Sequence, residues 1–153
     1  MEFVQFVLVM LFYVALVILS IFDIRNQKIP MIGIISVLAI GTVTAILSIF
    51  EPGHMPIGSL AVKTVLSVIP GLLLLFLAKL TGKVGPADGM VVCAIGLMTN
   101  YLIAIFSLGI AAILLSLLSM ALMLGKKVNK NTTLPFIPFL SVSYLIGGVF
   151  LGK

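Results

Sequence analysis

Two aspartates are the residues of this chain best placed to do chemistry. Asp23 lies in FDIRNQKIP (residues 22–30). Asp88 lies in VGPADGMVVCAIG (residues 84–96), at the threshold of a run with no further charge until Lys126. Two carboxylates about 4 Å apart at an effective dielectric near 20 repel by roughly 4 kcal/mol, or about three pKa units. A pair brought that close shares one proton and titrates as a unit. Its ionised member draws a proton from water while the protonated member hydrogen-bonds a scissile carbonyl, which is aspartic-protease chemistry. The dipoles of the flanking helices predict that Asp88, just before a helix, is the ionised member and that Asp23, at the end of one, is the protonated member. Arg25 and Lys28 pull Asp23 the other way. Taken singly, each aspartate also reads as a solvated helix end or an N-cap. Their closeness to apolar spans argues for function, because a carboxylate drawn into the membrane costs on the order of 2.5–3.5 kcal/mol.

The elements that must position these carboxylates are membrane helices. The 153 residues are 62% hydrophobic and only 8% charged, too little charge to cover a soluble core. Apolar stretches of about 18–20 residues recur, the length that crosses roughly 30 Å of hydrocarbon. No alternating strand pattern suggests a barrel. The N-terminal stretch lacks a basic n-region and a small-x-small cleavage site, so it is expected to remain as the first span. The pattern predicts an all-α, polytopic, single domain over residues 1–153 with six transmembrane helices. Spans are expected near 3–22, 31–50, 62–79 and 134–151, with two more inside 89–124. That last segment would be roughly 54 Å long as one helix. The polar MTNY (98–101) therefore marks a turn between a short fourth helix and a longer fifth, with Ser107–Gly109 as the competing position.

Charge sets the orientation. Arg25, Lys28, Lys79, Lys83, Lys126, Lys127 and Lys130 follow odd-numbered spans, whereas Lys63 and Lys153 fall on the other side. The positive-inside rule then puts Asp23 and Asp88 together at the cytoplasmic edge of the membrane, and Glu2 and Glu51 opposite. The net charge of +5 reads as topology signal and contact with anionic lipid rather than as a nucleic-acid surface. Cys93, the single cysteine, excludes a disulfide framework and a thiolate zinc site, and it reads as a small buried hydrophobe. His54 and Glu51 are too few ligands for a metal. Gly85 and Gly89 permit close backbone approach, and Pro86 interrupts a helix; a substrate-binding turn and a plain inter-span turn both use such residues. The methionines read as core packing, and Gly147 and Gly148 as points of close helix contact.

Three stretches together resemble the type IV prepilin leader peptidase family. DIRNQKIP is similar to its first motif, an aspartate followed six and seven residues later by Ile29 and Pro30. GPADGMVVCAIGL resembles the Gly-x-Gly-Asp segment that leads into a short helix. LPFIPFL (134–140) is similar to the closing Pro-Phe-x-Pro-Phe segment. The resemblance implies an aspartic endopeptidase of the inner, cytoplasmic membrane, with Asp23 and Asp88 as its catalytic pair and no cofactor or metal. Its implied partners are prepilin-like proteins of pilus or secretion systems, cut after the glycine that ends a short basic leader. Pro135, Phe136, Pro138 and Phe139 would shape the site, or serve as helix entry and interfacial aromatics. Ala87 replaces the second motif glycine, which restricts the backbone before Asp88, and Met90 replaces a frequent lysine. A small carrier using the aspartates as proton or cation sites, or an inactive pilus-assembly scaffold, are the competing functions; a carrier is expected to hold carboxylates nearer mid-membrane. The cysteine-bearing insert linked with methylation in longer members has no counterpart here. Incubation with a cleaved substrate and labelled S-adenosylmethionine is therefore expected to leave the product unlabelled, and label in the product overturns this expectation.

Overall fold

The computed structural model describes residues 2–26, 29–50, 57–82, 85–124 and 134–151. Among them run six α-helices: Glu2–Asn26 (α1), Met31–Leu47 (α2), Ile57–Thr81 (α3), Pro86–Met98 (α4), Tyr101–Leu124 (α5) and Ile137–Leu151 (α6). A 3₁₀ turn over Ser48–Phe50 extends α2. Lys28, Glu51, His54, Lys83, Lys126, Lys127, Lys130 and Lys153, used above for topology or ligand arguments, lie outside the described residues.

Odd and even helices differ in length. The odd-numbered α1, α3 and α5 have 25, 25 and 24 residues. Each contains an apolar stretch long enough to cross a membrane: Phe3–Asn26, Ala61–Thr81 and Tyr101–Leu124. The even-numbered α2, α4 and α6 have 17, 13 and 15 residues. The expected short fourth helix is α4, roughly 20 Å at 1.5 Å per residue and too short to span alone. The turn falls at Thr99–Asn100, and Ser107–Gly109 lies inside α5. Asn100 sets this break: its Oδ1 accepts the Ile103 N–H at 2.9 Å, the side-chain cap that a helix start favours.

The short fourth helix is the centre of the bundle. Gly89, Met98 and residues 91–96 are all buried, and α4 packs mainly against α3 and α2. Lipid tails are as apolar as leucine, so helices in a bilayer gain little by hiding apolar surface from one another. Close backbone approach through small residues takes over. A Cβ at Gly96 would overlap the Ser67 carbonyl oxygen, and one at Gly71 would overlap the Cys93 Sγ. A Cβ at Gly89 would stand 2.9 Å from the Leu75 nitrogen. Positions 89, 93 and 96 of α4 thus meet 67, 71 and 75 of α3 in reverse order, so these helices run antiparallel. On the other side, a Cβ at Gly41 would stand 2.8 Å from the Ala94 carbonyl oxygen, and the Thr44 hydroxyl reaches Met98 Sδ at 3.2 Å. These pairs ascend together, so α2 and α4 are parallel. Cys93 is buried in this seam, as expected of a small hydrophobe, with its thiol 3.7 Å from the Val68 carbonyl.

The rest of the bundle closes around this core. Phe12 of α1 meets Tyr144 of α6 edge to face, with ring centroids 5.5 Å apart. Leu16, Leu19, Val37, Ile137 and Leu140 are buried with them. Of the paired glycines in α6, a Cβ at Gly147 would meet the Ser107 Oγ at 3.2 Å, whereas Gly148 has open space. Gly96→Ala is expected to lower stability by at least about 1–3 kcal/mol, because backbone rather than a flexible side chain must move. Gly148→Ala is expected to be neutral or slightly stabilising. Thermal unfolding of the two variants in one detergent separates them, and equal loss at both positions would show that the seam does not hold the bundle.

Candidate active site

The described residues of the three motif stretches cluster toward one end of the bundle. Asp23 stands one turn before the end of α1, Asp88 in the first turn of α4, and residues 134–136 lead into α6. Helix α1 continues through Asp23 to Asn26 rather than stopping at Phe22, so the carboxylate is carried on a rigid element.

Asp23 is buried, with 7% of its surface exposed. A buried carboxylate needs donors, and these come from backbone. The Ile137 N–H donates to Asp23 Oδ2 at 3.0 Å, and the Phe136 N–H also acts on the carboxylate. Both amides open α6, where the first N–H groups of a helix have no partner within it. The Phe136 carbonyl already takes the Phe139 and Leu140 N–H groups, each at 3.1 Å. Phe136 and Phe139 are half-buried and pack against the core. The closing motif therefore touches Asp23 through its backbone. The expectation weighed the negative end of α1 against Arg25 and Lys28 and omitted this second helix, whose positive end faces the carboxylate.

Asp88 is the third residue of α4. Gly85 is the N-cap, in extended backbone at φ −69° and ψ 134°, and Pro86 takes the first helical position, where its missing N–H costs nothing. The Asp88 carboxylate reaches back to the Gly85 N–H, as an acidic residue three positions into a helix commonly does. A Cβ at position 85 would stand 3.3 Å from Asp88 Oδ2, so glycine leaves room for this return contact. Ala87 occupies helical backbone, where alanine is the best helix former. The restriction expected from replacing the motif glycine is thus no strain here.

The carboxylates lie close enough for the charge on Asp23 to act on Asp88. Burial, then that charge, push the Asp88 carboxyl up to about 7, against the opposing hydrogen bond from Gly85. No cation among the described residues acts on either carboxylate. Arg25 is exposed, and a residue two positions on does not face its neighbour across a helix. Lys79 is exposed at the same end.

Other polar features lie elsewhere. A cleft of about 180 Å³ between Gln5, Thr44, Ser48 and Thr99 opens at the opposite end of the bundle. A shallow depression of about 510 Å³ runs along α5 beside Ser116, Ser119 and Met123. Neither has an ionisable group in its lining. The Ser107 hydroxyl, buried in α5 toward the end away from the carboxylates, has no hydrogen-bond partner among the described residues. Among the described residues, no three His, Cys, Asp or Glu side chains gather as metal ligands. No protein-family model, curated protein or solved structure matches the chain.

The raised Asp88 carboxyl has a consequence for stability. Between the ordinary carboxylate pKa of 3.8 and about 7, the folded chain binds more protons than the unfolded one. Stability therefore falls as pH rises through that window. Unfolding measured at pH 5 and pH 8 is expected to show this loss in the natural protein and a much smaller one in Asp88→Asn. An equal loss in both would remove Asp88 as its source.

Proposed function

We propose that the protein is a membrane-embedded aspartic endopeptidase of the type IV prepilin leader peptidase kind. In this reading all six helices lie in the inner membrane, with the short α4 sheltered by its neighbours, and the two aspartates face the cytoplasm. The observation that carries it is that Asp23 of α1 and Asp88 of α4 lie at one end of the bundle, near enough for the charge on Asp23 to raise the Asp88 carboxyl. Partial burial and mutual repulsion make it costly to ionise both, so near neutral pH the pair holds one proton between them.

That state suffices for hydrolysis. The ionised carboxylate takes a proton from water as the water oxygen bonds to the scissile carbonyl carbon. The carbonyl oxygen takes the proton of the other carboxyl, giving a neutral gem-diol. The first carboxyl then protonates the amide nitrogen as the C–N bond breaks, and one diol hydroxyl returns its proton to the second. The pair ends as it began. The substrate class follows from the three-motif resemblance: a prepilin-like protein whose short basic leader ends in glycine. The cytoplasmic rim is itself basic, so leader charge serves to orient the substrate at the membrane, while the peptidase reads the glycine and the start of the hydrophobic helix. The carboxylates lie at a helix end and a helix start rather than at the middle of broken helices, which favours this reading over a carrier.

The test uses detergent-purified protein and a prepilin-like substrate with a basic, glycine-ended leader, with the products read by mass. Cleavage after the glycine is expected, reduced on the order of 10²–10⁴-fold in Asp23→Asn and in Asp88→Asn. Cleavage that survives either substitution overturns the pair, and repeated failure with the organism's own pilin-like proteins favours the carrier or scaffold.

A further inference from the structure

Resting on the reading of Asp23 and Asp88 as a catalytic pair, we infer that its two members are made unequal by the start of α6: the Phe136 and Ile137 amides hold Asp23 as the ionised member that takes the proton from water, leaving Asp88 to carry the shared proton and hand it to the carbonyl oxygen. The roles are thus the reverse of those expected from each aspartate's own helix.

Burial opposes ionisation of both members, and the donors set them apart. Asp23 accepts from two main-chain N–H groups, one of them at 3.0 Å and buried. Asp88 accepts from one, on Gly85. Hydrogen bonds to the charged form of a carboxylate favour that form, and donors at a helix start add the positive end of its dipole. The remaining charged and titratable groups do not offset this among the described residues. On α1, Arg25 is exposed and turned from Asp23. On α3, Lys79 is exposed. Helix α2 has no ionisable residue, α4 adds only Cys93, buried in the seam with α3, and α6 adds only Tyr144, packed on Phe12. Phe136 and Ile137 are accordingly positioning residues that act through Asp23, and they do so by backbone, so their side chains do not define the role. Pro135 and Pro138 flank the two donors without supplying an N–H of their own.

Two measurements test this. The first needs no activity: infrared difference spectra of the full chain in lipid nanodiscs, taken across pH 4 to 9, follow the C=O stretch of protonated carboxyl groups. The band that titrates near neutral pH is expected to disappear in Asp88→Asn. It is expected to persist in Asp23→Asn, titrating at lower pH because the neighbouring charge is gone. Loss in Asp23→Asn with persistence in Asp88→Asn, or loss in both, overturns the assignment. The second replaces single backbone amides by esters. An ester at Ile137 keeps the side chain and removes the N–H. It is expected to raise the acid limb of the cleavage profile by about one pH unit, a roughly tenfold change in the proton affinity of Asp23. An ester at Leu140, whose N–H serves the Phe136 carbonyl in the same turn, weakens the helix start and is expected to leave the limb in place. A limb unmoved by the Ile137 ester, or moved equally by both, shows a structural role only and overturns the inference. A chain that cleaves nothing yet shows the expected infrared pattern refutes the peptidase reading and leaves the asymmetry standing.

Discussion

The contact on which the bundle depends is backbone against backbone, where Gly96 of α4 rests on the Ser67 carbonyl of α3. In a bilayer no large hydrophobic gain drives two helices together, so their association rests on dispersion and on how closely the main chains approach. Three glycines and a cysteine make that approach possible along the whole of α4. The same seam fixes where this short helix sits along α3. Asp88 is in its first turn, so the position of the carboxylate follows from the seam.

Among the described residues, both carboxylates are stabilised by main-chain amides and neither by a cation. Side-chain cations must be held in place against their own entropy, whereas a helix start is already ordered and its dipoles need no reorganisation when charge develops. The arrangement repeats around the site. Each of the three even helices begins at this end beside a proline: Pro30 as the N-cap of α2, Pro86 as the first residue of α4, and Pro135 just before α6. Proline suits these positions because the first amides of a helix have no partner within it. Two of these helix starts, those of α4 and α6, act on the only two aspartates of the chain, and Arg25 and Lys79 are exposed.

Much of this was legible in the sequence, for identifiable reasons. The short fourth helix shows because MTNY is the most polar interruption of a long apolar run, and Asn100 is indeed the residue that caps the next helix. That Asp23 and Asp88 lie at one end of the bundle was suggested by motif order and by the charge map, both of which depend on side-chain type. The cap on Asp23 was not legible, because its donors are backbone amides that any residue but proline supplies. The α3–α4 seam was missed although its signal is present: small residues at 67 and 71 on one helix and at 89, 93 and 96 on the other. Glycine type alone misleads in both directions. Gly148 faces open space, and Ala87, where glycine was expected, sits in helical backbone that suits alanine.

The origin of the Asp23 donors also bears on how the molecule comes into being. A ribosome that has made the first hundred residues has made both carboxylates, but not the amides that hold one of them. Until α6 emerges and docks, with Tyr144 against Phe12, Asp23 has neither its cap nor the wall that buries it. Before that, the nascent chain carries both acids without the α6 amides, and docking of the sixth helix makes them an unequal pair. Order of synthesis, set by the position of α6 after α1 and α4, delays assembly of the site until α6 has docked.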